Sequence, residues 1–221
     1  MSDVSPNRSL VESLVRQAVF SQLGKTPPAE VPVLVVNSSA RHMHVSQDNL
    51  EVLFGKGYQL QPFKWLYMDG QFASTATVTL VGKKDRVLNN LRILGPCRNL
   101  TQIELSFSDA VYLGMDIPVR ASGNIKGSAG GVVIGPKGVL ELKEGIIRAE
   151  RHVHMTPQNA EFYGVKAGDR MTLIVESDQC TTRLDDLLVR VDPSFKLEVH
   201  IDTDEANACN LAKARRCELV R

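Results

Sequence analysis

The chain has 221 residues, which is enough for one or two domains that each bury a hydrophobic core. Hydrophobic residues make up 43% of it and charged residues 23%, as in ordinary globular proteins. Because 26 lysines and arginines balance 25 aspartates and glutamates, no net charge draws the chain to nucleic acid or to a membrane surface.

The sequence pattern predicts neither a membrane span nor an export signal. No apolar run approaches the length of a bilayer, so we expect no membrane-spanning helix. We do not expect a secretory signal, since Glu12, Arg16 and Gln17 interrupt the apolar residues near the N-terminus. The four cysteines form no CxxC pair, which argues against a thiolate zinc site. They are predicted to be free thiols in a reducing, cytoplasmic compartment.

The first predicted element is an amphipathic helix over residues 9–23. Ser9 followed by Glu12 matches a capping box. A stripe of apolar residues at helical spacing comprises Leu10, Val11, Leu14, Val15, Ala18, Val19 and Leu23. Prolines after Gly24 make residues 1–30 a helix and linker. The stripe favours packing on the body of the protein or on a second subunit, and the alternative is a docking segment for a larger assembly.

Beyond the linker, the sequence predicts many short β-strands separated by Gly, Pro, Asn and Asp. The predicted strands cover residues 33–36, 76–81, 87–94, 103–107, 132–134, 139–142, 146–149, 171–175, 187–191 and 197–201. Short helices are expected after the N-cap residues Ser46, Ser108, Thr156 and Asp202. Many short strands at this spacing are typical of barrels or sandwiches, so we expect a mainly β fold with short helices.

An internal repeat organises this part of the chain. Residues 41–51 read RHMHVSQDNLE and residues 151–161 read RHVHMTPQNAE, with the same chemical order. Two copies of one unit predict two similar β-barrel domains that arose by internal duplication. We place the first half at residues 31–125 and the second at residues 126–221, with the loop-like SGNIKGSAGG segment at the boundary.

Four of the five histidines lie in two His-x-His pairs, one in each copy of the repeat. The pairs are His42 with His44 and His152 with His154. In a strand, residues i and i+2 point to the same face, so each pair sets two imidazoles side by side. Two such pairs in one repeated context indicate metal binding, and imidazole clusters suit zinc or a similar ion.

Two further residues are candidate third ligands. His200 lies between Val199 and Ile201, so on a strand it faces away from them and can enter a polar site. Glu104 lies in the apolar, strand-like run TQIEL, where an unpaired acid would be costly to bury. The alternative for Glu104 is an exposed strand face.

Arg98 follows a Gly-Pro turn in LGPCRNL and is close in sequence to Glu104. A planar guanidinium beside a metal suits phosphate, which it can bind with two parallel hydrogen bonds. The alternative is a solvated loop arginine. Cys97 has no assigned base, and buried cysteines are usually inert, so a covalent thiol mechanism is not favoured.

Taken together, these motifs make the sequence similar to a known family. The segments SSARHMHVS, LRILGP-x-R-xx-TQIE, SGNIKG, RHVHM and HIDTDEANA closely resemble the PduL-type phosphotransacylases, also called phosphate propanoyltransferases. The similarity covers nearly all of residues 31–210. It implies two β-barrel domains, two zinc ions per active site, and interconversion of acyl-CoA plus phosphate with acyl phosphate plus coenzyme A.

The resemblance also implies a role for each matching residue. The implied ligands of the first zinc, which meets the CoA sulfur, are His42, His44 and Glu104. The implied ligands of the second zinc are His152, His154 and His200. Arg98 matches the phosphate-binding arginine and is the expected catalytic residue. The positions that match CoA contacts are Ser39, Lys64, Lys84, Arg92 and Asn207.

Partners follow from the same resemblance. Many family members belong to bacterial microcompartments, and a short N-terminal helix can direct them inside. The expected partners are therefore acyl-CoA, CoA and phosphate, with microcompartment shell or core proteins and a second copy of the chain in a homo-oligomer.

The implied mechanism follows from charge. Phosphate attack on a thioester gives a tetrahedral oxyanion and expels a thiolate. Zinc can polarise the carbonyl and stabilise the thiolate, while Arg98 and the second zinc gather the phosphate dianion. No protein nucleophile is required, so direct transfer from propanoyl-CoA or acetyl-CoA in a ternary complex is the simplest scheme.

Two other functions remain open from the sequence. A metal-dependent hydrolase is one, because amidohydrolase-like barrels also begin with His-x-His, although they need more alternating strands and helices than this chain offers. A non-enzymatic, metal-bound component of a microcompartment is the other. It explains the histidines as structural ligands but leaves Arg98 without a role.

Overall fold

Short strands joined by tight turns make up most of the chain in the computed structural model, which describes residues 31–83 and 86–221 and the isolated residues 15, 19, 22 and 23. The strands of the first part are β1 (Val35–Ser39), β2 (His42–His44), β3 (Pro62–Trp65), β4 (Phe72–Val81), β5 (Val87–Gly95), β6 (Gln102–Glu104), β7 (Val119–Arg120), β8 (Ala129–Ile134) and β9 (Val139–Ala149). Those that follow are β10 (His152–Met155), β11 (Arg170–Ser177), β12 (Thr182–Val191), β13 (Glu198–Asp202) and β14 (Ala214–Val220).

Helices are few and short among the described residues. They are α1 (Gln47–Phe54), α2 (Phe107–Leu113), α3 (Pro157–Tyr163), α4 (Thr203–Ala208) and a 3-10 turn at Leu211–Lys213. Within this part of the chain, no helix has the length and apolar character needed to cross a membrane. The predicted helix over residues 9–23 lies outside the described residues apart from isolated positions, and it stays a prediction.

The strands form two sheets, each with its own hydrophobic core. The first sheet has the order β3-β4-β5-β2-β6-β9-β7. Because β8 pairs with both β4 and β9, the strands β4, β5, β2, β6, β9 and β8 close into a six-stranded barrel around Met43 and Ile146. The second has the order β1-β13-β10-β12-β11-β14 and curls into a half-barrel around Val153 and Leu173. The prediction of a mainly β fold with short helices and barrels is confirmed.

The two sheets exchange strands across the expected boundary. β1 precedes the first His-x-His motif, yet it pairs in parallel with β13 of the second sheet. β8 and β9 follow residue 125, yet they pair with β4 and β6 of the first sheet. The expected halves at 31–125 and 126–221 therefore do not coincide with the two sheets, and residues 34–221 form one structural unit.

Three of the four predicted helix caps are confirmed, and the one at Ser108 is wrong. Ser46, Thr156 and Asp202 each cap the helix that follows, with a side-chain oxygen that accepts a backbone N–H three residues on. The helix expected after Ser108 begins earlier, because Ser106 has the extended backbone of an N-cap and accepts from the amide of Asp109. The strands predicted at 139–142 and 146–149 are one continuous strand, β9.

A buried ion cluster joins the end of β9 to the start of α4, which follows β13 of the second sheet. Arg148 is 7% exposed and pairs with Asp202 and with Glu205, which are 8% and 7% exposed. Arg151 also pairs with Glu205. Asp202 and Glu205 additionally form the capping box of α4, so the cluster fixes this helix to the strand that leads to β10.

We expect Arg148→Met to destabilise the fold by roughly 3–5 kcal/mol, because it leaves buried carboxylates without their main partner. Denaturant unfolding would measure the change in the free energy of unfolding. A matched control is Arg183→Met, which removes an exposed arginine paired with Asp185 and should cost no more than about 1 kcal/mol. Equal effects of the two variants would contradict the structural role of Arg148.

Candidate metal centre and active site

Each His-x-His pair lies on a short strand, and the residue between the two histidines is buried in the hydrophobic core of its sheet. Met43, between His42 and His44 on β2, is 0% exposed, and Val153 takes the same place in the pair on β10. Successive side chains on a strand point to opposite faces. The buried middle residue therefore turns both imidazoles of its pair to the other face of the sheet.

The third donor of each group lies directly across the sheet from the first histidine of the pair. His42 is opposite Glu104 on the antiparallel strand β6, and His152 is opposite His200 on the antiparallel strand β13. Side chains of opposed residues on neighbouring strands are in contact distance. The same register in both sheets thus assembles three potential metal ligands from two short strands.

The first cluster comprises His42, His44 and Glu104, whose donor atoms all lie within 4.8 Å of one another. His42 Nε2 is 3.1 Å from His44 Nε2 and 3.4 Å from Glu104 Oε2. His44 Nε2 is 3.9 Å from Glu104 Oε1. All three side chains are largely buried, so these donors face one another with little access to bulk water.

The second cluster comprises His152, His154 and His200, and its donor atoms meet the same 4.8 Å limit. The ring of His200 lies 4.8 Å from that of His152 and 4.7 Å from that of His154, measured between centroids. Both ring nitrogens of His154 are buried without a hydrogen-bond partner. Buried polar atoms are rarely left unpaired, so these nitrogens indicate a ligand.

Backbone carbonyls fix the tautomer of the first histidine in each cluster. His42 Nδ1 lies 2.8 Å from the carbonyl oxygen of Ala40, and His152 Nδ1 lies 2.8 Å from that of Glu150. A carbonyl oxygen only accepts, so Nδ1 carries the proton and donates it. The Nε2 lone pair of each ring is then directed into its cluster, as in metal-binding histidines.

One histidine of each cluster has a strongly lowered pKa, which favours the neutral form that binds metals. Burial, followed by the charges of His42 and Arg98, lowers the pKa of His44 to about 2. Burial, followed by the charges of His200 and His152, likewise lowers the pKa of His154 to about 2. Neutral imidazoles offer lone pairs to a cation at physiological pH without first having to lose a proton.

The two clusters fit zinc on chemical grounds. Three ligands bound to one tetrahedral zinc ion lie on the order of 3.4 Å apart, which is within the range of donor distances in the first cluster. Nitrogen and carboxylate lone pairs that face one another repel unless a proton or a cation lies among them. Three protein ligands leave a fourth position open, as in catalytic rather than structural zinc sites.

A large cavity connects the clusters. Its volume is about 1460 Å³, and its lining includes residues of both clusters together with Arg98. A second cavity of about 20 Å³, large enough for a water molecule, is lined by His42 and Glu104 of the first cluster and His152 and His200 of the second. The two clusters therefore belong to one site between the sheets.

Gln102 ties the loop after β7 to the first cluster. Its Nε2 donates to Glu104 Oε1 at 2.7 Å and to Ser122 Oγ at 2.9 Å, and its Oε1 accepts from the amide of Gly123 at 2.7 Å. Gly123 has φ of +96°, a conformation that favours glycine. Arg98 Nη1 donates to the same Ser122 at 3.4 Å, so this network orients both the candidate ligand Glu104 and the arginine.

Comparison with known proteins decides which family this site belongs to. The family model described as phosphate propanoyltransferase matches residues 35–212. A phosphate propanoyltransferase of Planctopirus limnophila is 50% identical over 97% of this chain and 92% of its own length. That of Lachnoclostridium phytofermentans is 54% identical over 86% of each chain, and that of Salmonella typhimurium is 41% identical over 91% of this chain and 92% of its own.

The chain belongs to the phosphate propanoyltransferase family. The family resemblance expected from the sequence is thereby confirmed, and the family is one of phosphotransacylases. In this phosphate propanoyltransferase fold, the residues expected to bind two metal ions form the two clusters. Their role as zinc ligands stays a prediction.

The residues expected to contact CoA are distributed unevenly in this member of the phosphate propanoyltransferase family. Ser39, Lys64 and Arg92 line the large cavity. Asn207 lies on α4 with an exposed side chain and does not line that cavity. Lys84 lies outside the described residues. The CoA assignments stay predictions, and those of the first three residues agree with the cavity.

Sequence reasoning missed two residues that support the third donors. Gln102 and Glu198 each stand two positions before a third donor, and both face a histidine across the sheet, His44 and His154 respectively. Glu198 is 2% exposed, accepts from Asn37 at 3.1 Å, and lies 3.1 Å from His200 Nε2. The signal was available, since residues i and i−2 of a strand share one face.

We expect the purified phosphate propanoyltransferase homologue to bind close to two equivalents of zinc or a similar ion. His154→Ala should abolish the second site and Glu104→Ala the first, because each removes one of three ligands. Elemental analysis after dialysis would measure one remaining equivalent in each variant.

The matched control for Glu104→Ala is Glu161→Ala, an exposed carboxylate on α3 that belongs to neither cluster. It should keep both equivalents. Fully loaded protein with one equivalent or none would contradict the assignment of two sites.

Proposed function

We propose that the protein transfers a propanoyl or acetyl group between coenzyme A and phosphate, with zinc in both clusters. The observation that carries this proposal is the presence of two three-donor clusters and Arg98 in one cavity. The names of the relatives in Planctopirus and Salmonella, both phosphate propanoyltransferases, support the same activity. A cavity of about 1460 Å³ exceeds the roughly 300–1,000 Å³ of a drug-sized pocket and suits a long cofactor such as CoA.

The CoA end of the cavity is the side lined by β3 and β5. Lys64 lies on β3, a strand whose residues are all exposed, and Arg92 lies on β5 beside the first cluster, opposite His42. The Arg92 guanidinium lies 4.9 Å from the ring centre of Phe63 and donates to the carbonyl of Ser74. These two cations offer charge to the phosphate groups of CoA, and their position would bring its thiol toward the first cluster.

We place the phosphate in the part of the cavity that Arg98 lines. The loop that carries it is held by a hydrogen bond from the Arg98 amide to the carbonyl of Val45, at 2.9 Å. The guanidinium is half-buried, and no carboxylate of the described residues lies within 4.0 Å of it. It can therefore bind a phosphate ion with two parallel hydrogen bonds, without first breaking an ion pair.

The proposed reaction is direct acyl transfer. An oxygen of phosphate forms a bond to the acyl carbon, the carbon–sulfur bond breaks, and its electron pair leaves on the CoA thiolate. Zinc bound in the clusters would supply Lewis acidity to the carbonyl and to the leaving sulfur. Arg98 would hold the phosphate dianion in line and offset its charge, while Gln102 and Ser122 keep the guanidinium and Glu104 in place.

The two alternative functions make different demands on the site. A hydrolase needs no phosphate-binding residue, whereas Arg98 lines the cavity that contains the metal ligands. A purely structural zinc site is normally closed by four protein ligands, whereas each cluster here offers three. Both features favour catalysis with phosphate as a substrate.

The first test follows free thiol released from propanoyl-CoA and acetyl-CoA, with and without phosphate. We expect release to depend on phosphate and acyl phosphate to accumulate in step. Equal thiol release without phosphate would indicate a hydrolase, and no release from metal-loaded protein would favour the non-enzymatic alternative.

Arg98→Ala should lower kcat/KM for phosphate by roughly 30- to 1000-fold, which corresponds to the loss of about 2–4 kcal/mol from one charge-assisted, bidentate contact. Arg98→Lys should restore little, because an ammonium cannot reproduce the planar fork. Metal content and far-ultraviolet circular dichroism serve as controls for folding. A near-normal kcat/KM in Arg98→Ala would contradict the assignment.

We also keep the docking of residues 9–23 to a bacterial microcompartment as a proposal that rests on the apolar stripe in the sequence. Deletion of residues 1–24 should leave metal content and turnover unchanged, because every proposed site residue lies at position 39 or beyond. The truncated protein should lose its association with co-expressed shell proteins. A large drop in the thermal unfolding midpoint would instead indicate that the segment packs on the barrels.

A further inference from the structure

Arg190 lies beside the second cluster, although nothing in the repeat pattern points to it. It is on β12, paired in parallel register with His154 on β10, and paired residues on neighbouring strands point to the same face. Its neighbour Val189 is 1% exposed in the hydrophobic core, so alternation directs Arg190 the other way. Its side chain lines the large cavity, 5.9 Å from the ring centre of Phe195, which stacks on His154.

The charge of Arg190 has no counter-ion in the described part of the chain. No carboxylate there lies within 4.0 Å of its guanidinium, whereas Arg148 and Arg151 are both paired with Glu205. The nearest carboxylate by register is Glu198, across His154, but it is occupied by Asn37 and His200. A half-buried cation without a partner is unfavourable unless a ligand brings the anion.

Arg98, in the loop after β5 of the first sheet, lines the same cavity. Burial lowers the pKa of Arg98, Glu104 opposes that change, and the positive charge of Arg190 lowers it further. Arg98 and Arg190 both line this cavity, and neither guanidinium has a carboxylate partner among the described residues. Together they create a site of positive potential for a small anion with several charges.

We propose that Arg190 is a second phosphate-binding residue, which holds the phosphoryl group together with Arg98 between the two sheets. This inference rests on the proposed function and adds a residue to it. Two guanidiniums offset the charge of the dianion, and each offers a planar pair of donors to its oxygens. In the reverse direction, the same two residues bind the phosphoryl group of the acyl phosphate.

The geometry also explains why one arginine comes from each sheet. Arg98 lies in the loop after β5 of the first sheet. Arg190 lies on β12 of the second sheet, next to the three-histidine cluster. A phosphate bound by both is fixed from two directions, so the oxygen that attacks the thioester keeps one orientation. Such positioning contributes to catalysis by reducing the loss of rotational freedom in the transition state.

The test is Arg190→Met, which keeps the volume of the side chain and removes its charge. We expect kcat/KM for phosphate to fall by roughly 10- to 100-fold, the effect of one lost charged contact, with KM for propanoyl-CoA unchanged. Calorimetric titration of metal-loaded protein with inorganic phosphate alone should show a weaker affinity by a similar factor. Arg190→Lys should lie between Arg190→Met and the unmodified protein.

The matched control is Arg183→Met, which removes an exposed arginine from the same strand and should change neither constant. The double variant Arg98→Ala/Arg190→Met should lose less than the product of the two single effects, because both residues bind one ligand.

Three results would overturn the inference: an unchanged kcat/KM for phosphate, a raised KM for propanoyl-CoA alone, which would place Arg190 at the CoA, or loss of one metal equivalent. Failure of the proposed function is distinguishable, since it would appear in the unmodified protein as thiol release that does not depend on phosphate.

Discussion

The geometry of the site depends on one constraint, which is that each strand bearing a donor also anchors a core residue next to it. Met43, Ile103, Val153 and Val199 are all 0% exposed, and each lies between two polar side chains. Because side chains alternate along a strand, burial of the middle residue fixes both neighbours on the cavity face. A slip of one residue would move the histidines into the core, so burial worth roughly 1.5–3 kcal/mol per side chain also maintains the ligand geometry.

The same strand–cap–helix unit builds both clusters, and their donor sets differ only at the third donor. The helices after β2, β6, β10 and β13 are capped two residues beyond the last donor of each strand, by Ser46, Ser106, Thr156 and Asp202. The third donor is Glu104 in one copy and His200 in the other. Three neutral imidazoles would leave the full charge of a divalent ion, which suits a phosphate dianion, whereas the carboxylate of Glu104 would reduce that charge on the thiolate side.

Local features of this fold could be predicted from the sequence, and strand partners could not. The His-x-His pairs and three of the caps depend on residues a few positions apart, so period and spacing identify them. The crossing of β1 to the second sheet and of β8 and β9 to the first depends on contacts far apart in sequence, which no local pattern contains. Arg190 was missed for the same reason, because what distinguishes it is its lack of a carboxylate partner among the described residues.

The exchanged strands explain how a site between two sheets can be rigid without a separate interface. β1, an edge strand of the second sheet, leads into β2, which carries two residues of the first cluster. β9 of the first sheet ends at Ala149, three positions before His152 of the second cluster. The buried ion cluster joins Arg148 on β9 of the first sheet to Asp202 and Glu205 of the second part of the chain. Asp202 lies two positions after His200. A strand of each sheet therefore continues along the chain into the strand that carries the His-x-His pair of the other sheet. A reaction that must hold a thioester and a phosphate in one orientation benefits from that coupling, because misplacement of about 1 Å can reduce the rate 100-fold.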